Sequence, residues 1–423
     1  MQTTTQPDTG ALCPSIEDVG PRFPLYTSEF AQNPQAVYTE MRERGYPLVG
    51  VDLAPDIPAT LVIGYDTAVR VYHDPVRFPA DPREWQRTVP ADHPIRPMTE
   101  YRPNPLRSDG TAHGIYRDAL LDALKAVDLH SVRAATARAA EPLIKAFSGA
   151  GKAELREQYV LPLVLTVLNE EILGCPPDIA ARVLPAMAAM FDSTATETVE
   201  AELIEAINEL LATKRVRPAD DVTSRLVHNA TNLNEVEKYH QMYTLWSAGV
   251  EPTSNFLANT LHLALTDPHY QPDSQGFMPP MRDVVNHTLH TNPPMAHYCI
   301  SYPKSRTLID GIWLPAHRPV LIGMTAASTD PTKNLPSRRI GEDGWGIGFG
   351  LGRHACPSQA RSSASLIAEV GASYLLDALP EIELAVPADQ LVWRPSPFQR
   401  APAELPVVFP PASLHTTPAP PRR

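Results

Sequence analysis

Ten residues near the C-terminus, Gly348-Phe349-Gly350-Leu351-Gly352-Arg353-His354-Ala355-Cys356-Pro357, limit what the chain can fold into more than any other stretch. Glycines at 350 and 352 admit φ > 0 and let the backbone approach a flat ligand closely. Pro357 suits a first helical position, where a missing N–H costs nothing, and the residues that follow predict a helix from Pro357 to about Leu379. Cys356 then lies near unpaired N–H groups and the positive end of a helix dipole, which favours thiolate over thiol. A thiolate held in a tight turn is a metal ligand or a nucleophile. Zinc spacing is missing, because His354 stands only two residues away and Cys299 is remote. A glycine-rich turn around a core cysteine is the plainer alternative.

Phe349-Gly350-x-Gly352-x-His354-x-Cys356 resembles the heme-binding loop of the cytochrome P450 superfamily, whose cysteine thiolate is the axial iron ligand. The family usually has glycine two residues after the cysteine, where this chain has Ser358. The resemblance covers roughly residues 20–410. It implies a mainly α fold with small β-sheets, and heme b held between a long central helix and the cysteine-loop helix.

Composition is needed only to bound the class. The 423 residues contain no run of eighteen uncharged apolar positions, and the N-terminus is polar, so a soluble chain without anchor or signal peptide is expected. Four cysteines are too sparse for a disulfide framework and fit a reducing cytoplasm. Thirty-six basic against 48 acidic residues give a net charge of −12, which argues against nucleic acid as a partner. Length alone allows two or three domains. The resemblance implies one, over 1–423, with 1–20 and 412–423 as loose termini.

Apolar residues at three-to-four spacing predict helices over 116–147, 154–174, 180–212 and 234–266. Leu61–Gly64, Trp313–Met324 and Leu405–Phe409 read as strands. The region 81–106 is proline-rich and non-periodic, and a loop of that length inside a compact chain is usually functional. In the family the matching segment covers the distal heme pocket.

His113 and Arg117 are four residues apart, hence on one helical face, and can present two donors to one anionic group. The resemblance implies a heme propionate, with His354 beside them. An ordinary solvated pair is the bland reading. The segment Val236–Leu265 would span about 45 Å as one helix. Its centre, Ala248-Gly249-Val250-Glu251-Pro252-Thr253, is similar to the family's central helix, where Ala-Gly leaves room above the heme and an acid–threonine pair relays protons. Glu251 matches the acid. Pro252 occupies the usual threonine position, predicts a kink, and leaves Thr253 one residue late.

Other family positions have changed. A Glu-x-x-Arg ion pair before a Pro-Pro turn falls here on His287 and His290, which read as a hydrogen-bonded histidine pair. The second propionate arginine falls on Ile300, with Arg306 as a shifted substitute. The aromatic–Pro–x–Arg–Phe element after Asp330-Pro331 is absent, leaving Arg338-Arg339. Phe398 sits in a stretch similar to the C-terminal hairpin that reaches the pocket, although a core aromatic is an equal alternative.

Three readings result. The first is a heme-thiolate monooxygenase acting on an unidentified small organic molecule in secondary metabolism, monomeric, with electrons from ferredoxin and ferredoxin reductase and no membrane or nucleic-acid partner. Its expected catalytic residues are Glu251 and Thr253. Cys356 binds the metal; His113, Arg117, Ala248, Phe349, Gly350 and His354 bind the cofactor; Val250, Pro252, Met295 and Phe398 meet the substrate. Arg353 and Arg361, on the cysteine side, face an acidic electron donor. The second reading is peroxide-dependent or otherwise non-oxygen-activating: Pro252 matches half of the Arg-Pro found in peroxide-using members, and Glu251 there would repel an acidic substrate. The third is a non-catalytic heme-binding partner or sensor.

Overall fold

The computed structural model describes residues 13–191, 197–230, 232–271, 279–333 and 346–412. The predicted body is helical, and its longest member is Glu235–Thr266. Asn234 starts it with a capping box, its side chain accepting from the Glu237 N–H while Glu237 reaches back to the Asn234 N–H. The helix runs through Pro252 without ending. One face of it packs into the largest core cluster through Trp246, Phe256, Leu257 and Leu261, all buried.

The expected helix over 116–147 is two: α1 at Gly110–Ala123 and α2 at Leu129–Ser148. Asp128 separates them by capping the second, accepting from the N–H groups of His130 and Ser131 at 3.2 and 3.0 Å. Apolar periodicity runs across that break because both helices face one core. Likewise 154–174 holds a short α-helix, Leu161–Thr166, between wider π turns at Arg156–Val160 and Val167–Ile172. The segment 180–212 resolves into Pro177–Phe191 and Glu197–Val216. We call Glu235–Thr266 α3, Met281–Thr291 α4 and Ser358–Ala378 α5. Helix α5 packs on α2, α3 and α4. It begins at Ser358, one residue later than expected, with Pro357 as its cap.

Among the described residues ten strands form three small sheets. The largest combines β1 (Phe23–Pro24), β2 (Leu48–Asp52), β3 (Pro58–Val62), β5 (His297–Ser301) and β8 (Val320–Gly323) in the order β1-β2-β3-β8-β5. β4 (Lys152–Glu154), β9 (Glu383–Leu384) and β10 (Pro406–Val408) form a second, and β6 (Thr307–Ile309) with β7 (Ile312–Leu314) a third. The expected strand Trp313–Met324 is therefore two, β7 and β8, in different sheets.

Residues 1–12 and 413–423, and Arg338-Arg339, lie outside the described residues. The expectation of a loose N-terminus through residue 20 is overturned from Ser15 onward. Ser15 bridges Trp313, the Ile16 N–H donates to the Trp313 carbonyl at 3.0 Å, and Ile16 is buried in a core cluster. No helix among the described residues is long and apolar enough to cross a membrane.

Candidate active site

The cysteine loop closes on itself through backbone bonds. The Cys356 N–H donates to the Phe349 carbonyl at 2.9 Å, the Gly350 N–H to Ile347 at 2.9 Å, and the Ala355 N–H to Gly352 at 3.2 Å. Gly350 and Gly352 have φ of +71° and +67°, which side-chain-bearing residues rarely adopt. A Cβ at 352 would also lie 2.5 Å from the Tyr72 carbonyl oxygen. Both glycines are thus demanded by the turn. Cys356, Phe349 and His354 line one side of a large apolar cavity of about 330 Å³. Ala248, Gly249, Pro252 and Thr253 of α3 line it as well.

Beside the loop, His113 and His354 pack with ring centroids 4.3 Å apart. The Nδ1 of His354 pairs with the Pro105 carbonyl at 3.0 Å and its Nε2 stands 3.5 Å from Asp109 Oδ1, while the Nε2 of His113 is buried without a hydrogen-bond partner. Burial first, then the neighbouring His354, Arg353 and Arg117, pushes His113 down to about 4. Arg117 lines the cavity and donates from Nη2 to the Ala355 carbonyl at 2.6 Å. Helix α1 therefore brings both side chains to the loop that carries the cysteine, from the one helical face their four-residue spacing shares. Burial pushes the Cys356 thiol up to about 11, only partly opposed by the Arg117 and Arg361 guanidiniums. The dipole argument for a free thiolate is thus outweighed, and deprotonation is left to a bound metal.

No protein-family model matches the chain. It is 28% identical to the cytochrome P450 monooxygenase PikC of Streptomyces venezuelae over 96% of its own length and 97% of that protein. It is 26% identical to the polyketide biosynthesis cytochrome P450 PksS of Bacillus subtilis, over 91% of this chain and 98% of that one. Among solved structures, CYP154C4 of Streptomyces sp. ATCC 11861 superposes with a TM-score of 0.80 at 22% identity, covering 92% of this chain and 98% of that one. Myxobacterial CYP267B1 in complex with myristic acid gives 0.76 at 25% identity, covering 91% and 98%.

The chain is a cytochrome P450.

A P450 is an oxidoreductase, and membership implies a heme. This P450's own atoms fit one: a cysteine sulfur on an apolar cavity that small Ala248 and Gly249 of α3 also line, and the orphaned imidazole nitrogen of His113 with the Arg117 guanidinium on the same helix. Among the described residues no group of three or more His, Cys, Asp or Glu side chains offers another metal site.

Other expected residues are placed differently. Glu251 does not line the cavity. Its carboxylate accepts from Arg156 at 3.5 Å and from Arg394, on the far side of α3. Arg156 continues to Asn255 Oδ1 at 3.2 Å, and Asn255 to Gln399 Oε1 at 3.0 Å, so Glu251 reaches the cavity wall only through a bonded chain. Its neighbour two residues on does turn inward: Thr253 lines the cavity. Helical geometry separates them, since two residues rotate the side chain by roughly 200°. Val250 is buried in the core cluster rather than the cavity, whereas Pro252 and Met295 line it. Phe398 lies in a neighbouring cavity with Leu53, His93 and Ile95, packed edge-on to Tyr298. Gly350 shapes the loop without lining the cavity.

The altered family positions resolve as neutral sites. His287 pairs through Nδ1 with the Tyr270 hydroxyl at 2.8 Å, and no bond joins it to His290, so the expected histidine pair is not formed. Burial pushes His290 down to about 4. Arg306 is exposed and stacks on Trp313, away from the cavity, while Ile300 lines it. Arg353 is exposed, but Arg361 is half-buried beside Cys356.

Sequence reasoning missed His297. It is fully buried, with Nδ1 facing the Pro397 carbonyl at 3.0 Å and Nε2 facing the Tyr38 hydroxyl at 2.6 Å. A carbonyl only accepts, so Nδ1 carries the proton and Nε2 accepts from Tyr38. The bond joins residues remote in sequence, and no local pattern signals it. Arg107, between the proline-rich region 81–106 and the helix that follows, carries no motif of its own and is buried against the cavity.

Proposed function

We propose that this P450 is a heme b monooxygenase that oxidises a small, largely apolar organic molecule in secondary metabolism. In this reading it works in the cytoplasm as a monomer, with electrons from a ferredoxin and its reductase. The observation that carries the reading is the cysteine sulfur on an apolar cavity that Ala248, Gly249 and Thr253 of the central helix also line. PksS, by its name, serves polyketide biosynthesis, and the structure of TamI, a P450 monooxygenase, holds tirandamycin C. Both are compatible with a roomy apolar cavity.

Cys356 would hold the iron, and His113, Arg117 and His354 a propionate, with Phe349 and Ala248 packing on the ring. When bound, the heme supplies two-electron oxidation of substrate with dioxygen. The chain's residues contribute position and protons. Apolar lining from Leu168, Leu245, Ile300 and Ile367 excludes water. Pro252 withholds an N–H from the Ala248 carbonyl one turn back, which leaves an acceptor at the cavity edge. Thr253 holds a proton at Oγ1, and we assign it the delivery role. Glu251, bound by two guanidiniums, anchors α3 to the C-terminal segment instead.

Reduced protein exposed to CO should show the red-shifted Soret band of thiolate ligation. Turnover with a ferredoxin system but not with peroxide alone supports the monooxygenase; peroxide alone sufficing would select the peroxide-dependent reading. Thr253→Val should lower the share of consumed electrons recovered as product by about ten-fold, while Glu251→Gln lowers it less.

A further inference from the structure

Resting on the heme-thiolate reading above, we propose that Arg107 is a second carboxylate-binding residue of the cavity. It captures either a heme propionate or the carboxylate of an acidic substrate.

Among the described residues three arginines and no aspartate or glutamate line the cavity. Two of the three have evident commitments. Arg102 pairs with Glu100 at 3.1 Å and stacks over Tyr243, and Arg117 belongs to the His113–His354 group and donates to the Ala355 carbonyl. Arg107 lies over the Tyr298 ring at 5.5 Å but has neither a carboxylate nor a place in the cysteine-loop group. It is 6% exposed, and no carboxylate pairs with it. Its Nη2 donates to the Met98 carbonyl and, at 2.9 Å, to the Tyr298 hydroxyl; Nε and Nη1 bond to no described residue.

A buried guanidinium without a counter-charge is unfavourable unless an anion completes it. The free N–H groups of a planar fork suit a carboxylate, which can accept two parallel bonds. Placement adds a second reason. Arg107 bonds Tyr298 of β5, next to Cys299 and two residues before Ile300, and all of these line the cavity. Cys299 takes an unusual φ of +53°, and its Sγ would lie 3.3 Å from a Cβ on Gly350 of the cysteine loop. The guanidinium therefore stands over the strand where the resemblance expected an arginine and the chain has none, and supplies that missing charge from a loop. It also reverses the preference once inferred from Glu251: the formal charge lining the cavity is positive, which favours acids over amines.

The test uses the heme-loaded full chain and Arg107→Gln. Arg107→Lys, which keeps charge but not the fork, and Tyr298→Phe, which removes a neutral bond, accompany it. One readout is the rate of heme loss to excess apomyoglobin; the other is the Soret shift on titration with decanoate against 1-decanol. Losing a charge-assisted bond should change the affected readout by about ten-fold or more. Faster heme loss in Arg107→Gln, with the decanoate-to-decanol ratio intact, assigns the site to a propionate. Loss of the decanoate preference, with heme loss unchanged, assigns it to a substrate carboxylate. Wild-type values in both readouts overturn the proposal. Should Arg107→Gln fail to fold by circular dichroism, Arg107→Met, which keeps the apolar stem and removes the charge, decides, since wild-type behaviour there is equally fatal. A Tyr298→Phe effect as large as that of Arg107→Gln also overturns it, because packing rather than charge would then be at work. The thiolate band of the wild-type CO complex depends on Cys356, so its absence signals failure of the heme-thiolate reading separately.

Discussion

The cysteine loop and the segment from α4 into β5 lie against each other, yet they meet the same heme-side core by opposite means. The loop relies on backbone shape: two left-handed glycines, a short turn and a proline cap place one sulfur. The α4–β5 segment relies on side-chain bonding, and there the charges of the family have given way to neutral imidazoles. His287 pairs with Tyr270, His297 with Tyr38 and Pro397, and burial pushes both His290 and His297 down to about 4. A geometric device tolerates little change, because φ > 0 and a close backbone approach admit few residues. A charge device can be rebuilt elsewhere in the fold, because any side chain that reaches the same volume can supply the charge.

The sharpest way to break this contrast is at the sulfur. Cys356→Ser should abolish the red-shifted CO band completely, and an unchanged band would move the ligand elsewhere. Gly352→Ala should follow, costing roughly 2–4 kcal/mol of stability in denaturant titration, because φ is +67° and the added Cβ meets the Tyr72 carbonyl. A near-neutral result would mean the loop is not geometrically constrained. In the other region His297→Leu should cost roughly 2–3 kcal/mol by leaving the buried Tyr38 hydroxyl and Pro397 carbonyl without partners.

The smallest effect is a pH response. Burial chiefly lowers His297 from 6.5 to about 4, so the unfolded chain binds the extra proton between those values. The stabilisation is fully present above 6.5 and is lost as pH falls toward 4, by roughly 1–3 kcal/mol for this one group. His297→Leu should flatten that part of the stability profile. Equal slopes in wild type and variant would show that His297 titrates as an exposed histidine.

The same contrast explains what could be read from residues in order. The glycine turn at 350–352 and the four-residue spacing of His113 and Arg117 are local, and the structure keeps both. Helix ends were less legible where one apolar face continues across a break, as at Asp128. Roles within α3 were less legible still. Glu251 and Thr253 are two residues apart and equally plausible on paper, yet one faces Arg156 and Arg394 and the other faces the cavity.

Sequence by itself thus determined the cysteine loop, the central helix and the family they announce, because those features depend on backbone conformations that few residues permit. Tertiary structure alone decided which charges meet. Arg107 against an acid-free cavity wall, Glu251 clamped by two arginines and His297 between Tyr38 and Pro397 all join residues remote in the chain. The reason is physical: electrostatic and hydrogen-bond partners are set by distance through space, and only packing brings those distances within reach.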